Sequence, residues 1–151
     1  MQVAISADHA GFETKQQLVT ALTEGGYTVT DLGTHSTEPV DYPDFAEAVA
    51  QAIRSNQVER GIIVCGSGAG VSIVANKFPG VRAAVCHDLY TAHQAVEHDD
   101  LNVLCLGARV INPKLALEIS ENFIKARFTG EDRHRRRLDK LLAVETKFLR
   151  S

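Results

Sequence analysis

The stretch "IIVCGSGAGV" (residues 62–71) decides the fold. Its apolar run, Ile62 to Val64, does not alternate with polar residues, as expected of a strand covered on both faces. The run closes on Cys65, and three glycines, Gly66, Gly68 and Gly70, then fall within five residues. A helix is expected from about Ala69, ending before Pro79-Gly80. A buried strand, a glycine turn and a helix in direct succession are the makings of a parallel sheet.

The same unit recurs on both sides. Upstream, "QVAIS" (2–6) reads as a strand. A helix follows from about Phe12, with Leu18, Val19 and Leu22 on one face, and Gly25-Gly26 stop it. "YTVTDL" (27–32) is a second strand, and residues 33–44 form a loop by their Gly, Pro and Asp content. "FAEAVAQAIRS" (45–55) is a helix with Phe45, Val49 and Ile53 in one stripe. Downstream, "VRAAVC" (81–86) is a strand, 88–98 a helix and "LNVLCLG" (101–107) a fifth strand. Pro113 suits the first turn of a helix carrying Leu115, Ile119, Phe123 and Ala126. A last helix from about residue 132 carries Leu138, Leu141, Leu142 and Phe148. The expectation is an α/β fold, a five-stranded parallel sheet with helices on both faces. Such sheets bind ligands outside the carboxyl ends of their strands, near a topological switch point. His9, His35, Cys65 and His87 all fall just past a strand.

Composition narrows the function. A chain of 151 residues suits one domain, taken as 1–151. Hydrophobic residues at 44% and charged residues at 23% are ordinary for a soluble domain. A net charge of −3 speaks against nucleic acid or an anionic membrane as the main partner. No apolar stretch approaches the roughly 20 residues of a membrane span, and no signal-peptide pattern opens the chain. Three cysteines without a CxxC pair indicate reduced thiols in a cytoplasm, and neither a disulfide frame nor a zinc site.

The chemistry centres on "CGSGAG" (65–70). Glycines let backbone amides approach a ligand closely, and a helix start adds a partial positive charge. The dinucleotide spacing GxGxxG is not met, because position 71 is Val, and GxxxxGK[ST] is absent. Cys65 adds meaning, since a helix start stabilises a thiolate. Beside an anion cradle, that thiolate can take a proton from a carbon next to a carbonyl while the cradle holds the developing oxyanion. The plainer reading is a small buried hydrophobe in a tight turn, and it is kept for Cys86 and Cys105.

Five motifs together carry a resemblance: "ADHAGF" (7–12), "DYPDFA" (41–46), "CGSGAGVSIVANKFPGVRAA" (65–84), "EHDDLNVLCLGARV" (97–110) and "RHRRR" (133–137). In this order and spacing the chain resembles the ribose-5-phosphate isomerase B family, which also holds galactose- and allose-phosphate isomerases. The resemblance implies a Rossmann-like three-layer α/β/α sandwich. It implies a homodimer, or a dimer of dimers, with sites at the subunit interface and the C-terminal helix reaching the partner. It further implies interconversion of an aldose and a ketose phosphate through a cis-enediolate, with neither cofactor nor metal. Cys65 matches the base. Some members instead carry a glutamate where this chain has Val71. Gly66, Ser67, Gly68, Ala69 and Gly70 match the loop around the enediolate. His98 matches the ring-opening acid, supplied by the second subunit. Asp8 and His9 match substrate contacts, Tyr42 a pocket wall, and Arg109, Arg133 and Arg137 sugar and phosphate contacts. Asp99 departs from the usual asparagine. An ionised aspartate only accepts hydrogen bonds and adds negative charge near a phosphate, so a six-carbon sugar phosphate stays open as substrate.

Each residue also has a plain structural reading. Asp8 suits a turn that caps the next helix, and His98 a helix C-terminus. Tyr42 before Pro43 suits a fixed loop. Arg133 and Arg137, at i and i+4, share a helix face and suit one phosphate, whereas Arg135 and Arg136 point elsewhere. His35 and His87 remain unassigned, and His93 and His134 carry no role. A phosphate- or nucleotide-binding module without turnover is the reading from another class.

Overall fold

A computed structural model describes residues 1–149. Strands β1 (Gln2–Ala7), β2 (Thr28–Asp31), β3 (Arg60–Cys65), β4 (Ala83–Val85) and β5 (Val103–Gly107) alternate with helices α1 (Phe12–Glu24), α2 (Tyr42–Arg54), α3 (Ala69–Ala75), α4 (Leu89–Asp99) and α5 (Pro113–Lys125). Helix α6 (Asp132–Phe148) closes the described chain. All strand pairs are parallel, in the order β2-β1-β3-β5-β4.

Both faces of the sheet are covered, which explains the unbroken apolar strands. Side chains alternate along each strand. Val3, Ile5, Ile62, Val64, Leu104 and Leu106 meet Leu18 and Leu22 of α1, Val96 of α4 and Ile119 and Phe123 of α5. Ala4, Ile63, Val103 and Cys105 meet Val49 and Ile53 of α2 and Val71 of α3 on the other face. Each fully buried side chain such as Ile62 or Phe123 contributes about 1.5–3 kcal/mol of burial. These layers form the expected α/β/α sandwich.

The structure departs from the sequence reading at α2, β4, β5, which starts at Val103, and α6. Helix α2 begins at Tyr42, three residues early, because Pro43 fits its first turn. Strand β4 has three residues where six were expected. Arg82 leaves the ladder, donating its amide to Asn102 Oδ1 at 2.7 Å, and Cys86 reaches Cys105 O only at 3.4 Å. On α6 only His134 and Leu138 are buried; Leu141, Val144 and Phe148 stay 39, 59 and 70% exposed.

The strand order places the site. The crossover from β1 leads outward to β2, and the next returns past β1 to β3, so the loops after β1 and β3 part at a switch point. The crossover from β3 passes β5 to reach β4, and the chain then steps back. The loops after β3 and β5 therefore meet.

Candidate active site

Cys65 ends β3, 6% exposed, with its Sγ turned toward the following loop. The Gly68 amide donates to that sulfur at 3.0 Å. Gly68 holds φ +83°, a conformation that other residues rarely adopt, and it starts α3. The Ala69 amide turns back to Ser67 Oγ at 3.2 Å. The sulfur thus has a backbone hydrogen-bond donor at the start of α3.

The loop rests on the end of β5. The amides of Ala108 and Arg109 donate to the carbonyls of Cys65 and Gly66 at 2.8 and 3.0 Å. The turn of chain at Ser67 lies on Gly107, where an added Cβ would stand 2.7 Å from the Ser67 carbonyl. Arg109 lies over Gly66, its Nη1 3.1 Å from where a Cβ would be. Tyr42, delivered by the first residue of α2, lies over Gly70 as closely, 2.6 Å by the same measure. The missing side chains at 66 and 70 thus make room for a guanidinium and a phenol around the loop.

Asp8 and His9 stand on the loop after β1. Asp8 is buried, and its Oδ1 accepts the amides of Ala10 and Gly11 at 3.0 and 3.1 Å, closing the turn before α1, whose N-cap is Gly11 and not Asp8. His9 Nδ1 accepts the Val40 amide at 3.1 Å. That bond leaves the neutral ring's proton on Nε2, a donor suited to a phosphate or hydroxyl.

The other residues lie elsewhere. Helix α4 runs back against the strand direction for eleven residues. Its last turn is therefore about 15 Å from the carboxyl edge. His98 sits there, half-buried, with Gln94 Nε2 2.8 Å from its Nδ1. An amide N–H donates, so the ring proton is on His98 Nε2. His134 stacks on His98 with centroids 4.0 Å apart and bonds Thr129 Oγ1 at 2.6 Å through Nδ1. Burial first, then the His98, Arg133 and Arg137 charges, hold His134 below the ordinary imidazole range. Arg133 and Arg137 flank it, both exposed, with Arg133 Nε 3.3 Å from Glu131. Asp99 is exposed beside Leu141, Val144 and Phe148 in a groove of about 530 Å³. One chain thus carries two groups: Cys65, the loop 66–70, Asp8, His9, Tyr42 and Arg109 at the carboxyl edge, and His98, Asp99, Arg133 and Arg137 at the far end of α4.

Two features went unread in the sequence. Gln94 orients His98, a pairing the i, i+4 spacing signals. His87 reaches Gly107, taking its amide on Nε2 at 2.9 Å. The remaining thiols are packing groups: burial pushes Cys86 up to about 11, and Cys105 further up. Among the described residues no group of three or more His, Cys, Asp or Glu is placed to hold a metal, and no helix is long and apolar enough to cross a membrane. A cavity of about 620 Å³ between Arg54, Arg82 and Asp100 lies at the sheet's amino edge, away from Cys65, with its Arg82–Asp100 pair already closed at 3.1 Å.

The Ribose/Galactose Isomerase family model matches residues 3–141. Ribose-5-phosphate isomerase B of Escherichia coli (strain K12) is 42% identical over 144 residues, 95% of this chain and 96% of its own. D-erythrulose-4-phosphate isomerase of Pectobacterium atrosepticum is 44% identical over 131 residues, 86% of each chain. The solved structure of Clostridium thermocellum ribose-5-phosphate isomerase B superposes with a TM-score of 0.94 at 47% identity, covering 98% of this chain and 99% of that one. With its fold and nearly its whole length in common with these proteins, the chain belongs to the ribose/galactose isomerase family and is an isomerase.

Proposed function

We propose that the chain interconverts ribose 5-phosphate and ribulose 5-phosphate as a single cytoplasmic domain working in a homodimer. The observation that carries this reading is the Gly68 amide on Cys65 Sγ, at 3.0 Å, inside a loop covered by Arg109 and Tyr42. In the reaction, His98 from the second subunit gives a proton to the ring oxygen while the anomeric hydroxyl gives its proton to solvent. The bond from C1 to the ring oxygen breaks, the furanose opens to the aldehyde, and solvent returns a proton to His98. The Cys65 thiolate takes the C2 proton. The electrons move onto the carbonyl oxygen, and loop amides hold the cis-enediolate. Cys65 returns the proton to C1, and a proton passes from O2 to O1. The phosphate lies between His9 Nε2 and the partner's Arg133 and Arg137.

The division of these residues into two distant groups supports a shared site, because neither group alone joins base, acid and phosphate ligands. The exposed Leu141, Val144 and Phe148 along α6 support the second copy, and pairing of dimers remains an extension of that reading. Asp99 favours a second substrate reading, a six-carbon sugar phosphate, within the same chemistry.

The test is exchange of the C2 proton in heavy water over a panel of four-, five- and six-carbon sugar phosphates. Exchange with ribose 5-phosphate is expected in the wild type and lost in Cys65→Ala. Exchange that survives in a folded Cys65→Ala chain would remove Cys65 as the base. Mixing Cys65→Ala with His98→Asn, each inactive alone, should restore activity. Hybrid dimers with no activity would refute the shared site.

A further inference from the structure

His87 lies outside both groups, yet it contacts the support of the reacting sulfur. Strand β4 stops at Val85, paired with Cys105, while β5 continues to Gly107. The Cys86 bond to Cys105 O is long, 3.4 Å. The next rung is missing, and the His87 ring takes its place: Nε2 accepts the Gly107 amide at 2.9 Å. On the other side of β5, Gly107 registers with Cys65 itself. Above it, Ser67 and Gly68 touch down. A Cβ at Gly68 would stand 3.3 Å from the Gly107 nitrogen and 3.1 Å from the Leu106 carbonyl carbon. The amide that His87 holds is thus directly beneath the residue whose own amide reaches Cys65 Sγ.

We propose that His87 is a positioning residue of the isomerase reaction. Its Nε2 anchors the Gly107 peptide, and that peptide fixes the Ser67–Gly68 turn and its amide on Cys65. This rests on the isomerase reading of Cys65. Without an acceptor at this point Gly107 N–H loses its partner, and the end of β5 is free to shift under the loop. Shifts of about 1 Å in such supports cost on the order of 10²-fold in rate. Substrate binding changes less, since His9, Tyr42, Arg133 and Arg137 stand on other segments and only Arg109 follows Gly107.

Two variants separate anchoring from bulk packing. His87→Leu keeps size and loses the acceptor. His87→Gln returns an oxygen near the Nε2 position. For each, kcat and KM with ribose 5-phosphate are measured, together with the rate of Cys65 alkylation by iodoacetamide across pH. His87→Leu should lower kcat by about 10- to 100-fold with KM within about threefold, and slow Cys65 alkylation near neutral pH. His87→Gln should recover most of both. If the leucine chain does not fold, His87→Ala is read by the same criteria. A folded variant lacking the acceptor, with wild-type kcat and alkylation profile, would overturn the proposal. So would a glutamine variant as impaired as leucine. Wild-type protein without turnover would instead defeat the isomerase reading, and the alkylation rates would still decide the role of His87.

Discussion

Replacing Gly107 by alanine strikes the contact between β5 and the reacting loop. The added Cβ would stand 2.7 Å from the Ser67 carbonyl carbon and oxygen, and 2.8 Å from its Cα. Ordinary contact begins at 3.4 Å, so Ser67 or Gly107 must give by about 0.7 Å, the difference from 2.7 Å. The neighbours are backbone and cannot rotate away. Ser67 is one residue from the Gly68 amide, which sits 3.0 Å from Cys65 Sγ. A shift of about that size, passed on to Gly68, lengthens and weakens this bond. Overpacking costs about 1–3 kcal/mol, which a domain stable by 5–15 kcal/mol survives. A loss of about 10- to 100-fold in kcat is expected from the displaced amide. Steady-state kinetics and urea unfolding measure the two effects on one preparation. Gly25→Ala serves as the control, since φ there is −75° and its nearest contacts start at 3.4 Å. Wild-type kcat in Gly107→Ala with a stability loss inside the stated range would refute the coupling between β5 and the sulfur.

Lys15 is fully buried and its Nζ meets both oxygens of Asp31 at 2.7 and 2.8 Å. Lys15→Met should cost on the order of 3 kcal/mol in urea unfolding, the low end for a broken buried pair, because Asp31 keeps the Gly33 amide and partial exposure to water. His134 is held below its ordinary 6.5, so the unfolded chain takes up the proton first. Stability should be full above pH 6.5 and fall as the pH drops below it, and Tm against pH should fall less in His134→Gln. Asp99→Asn, at an exposed position, should leave Tm unchanged and move the ratio of five- to six-carbon kcat/KM by about tenfold. An unchanged ratio would show that Asp99 does not read the sugar.

Strand and helix periods are local, so β1, β3 and β5 stand out in the sequence as apolar runs broken by glycine and aspartate. The short β4 did not, because Val81 and Arg82 look strand-like, but the Val81 amide donates back to Phe78 O and the Arg82 amide to Asn102 Oδ1. The α6 stripe suggested burial that Leu141 and Phe148 do not receive, since a period reports a face and not what covers it. His98 and His134 were separate histidines in the sequence, and only the crossing of α4 and α6 stacks their rings.

The amino-acid sequence by itself determined the alternation of strands and helices and the place of Cys65 at a carboxyl edge, because period and punctuation act within a few residues. The tertiary structure alone decided that β5 lies between β3 and β4, that Gly107 carries the Ser67 turn, that His87 holds Gly107, and that His98 lies one helix length from Cys65. Those relations are set by which strands pair across the sheet, and pairing between segments some 40 residues apart, such as Cys65 with Gly107, leaves no periodic trace in either one.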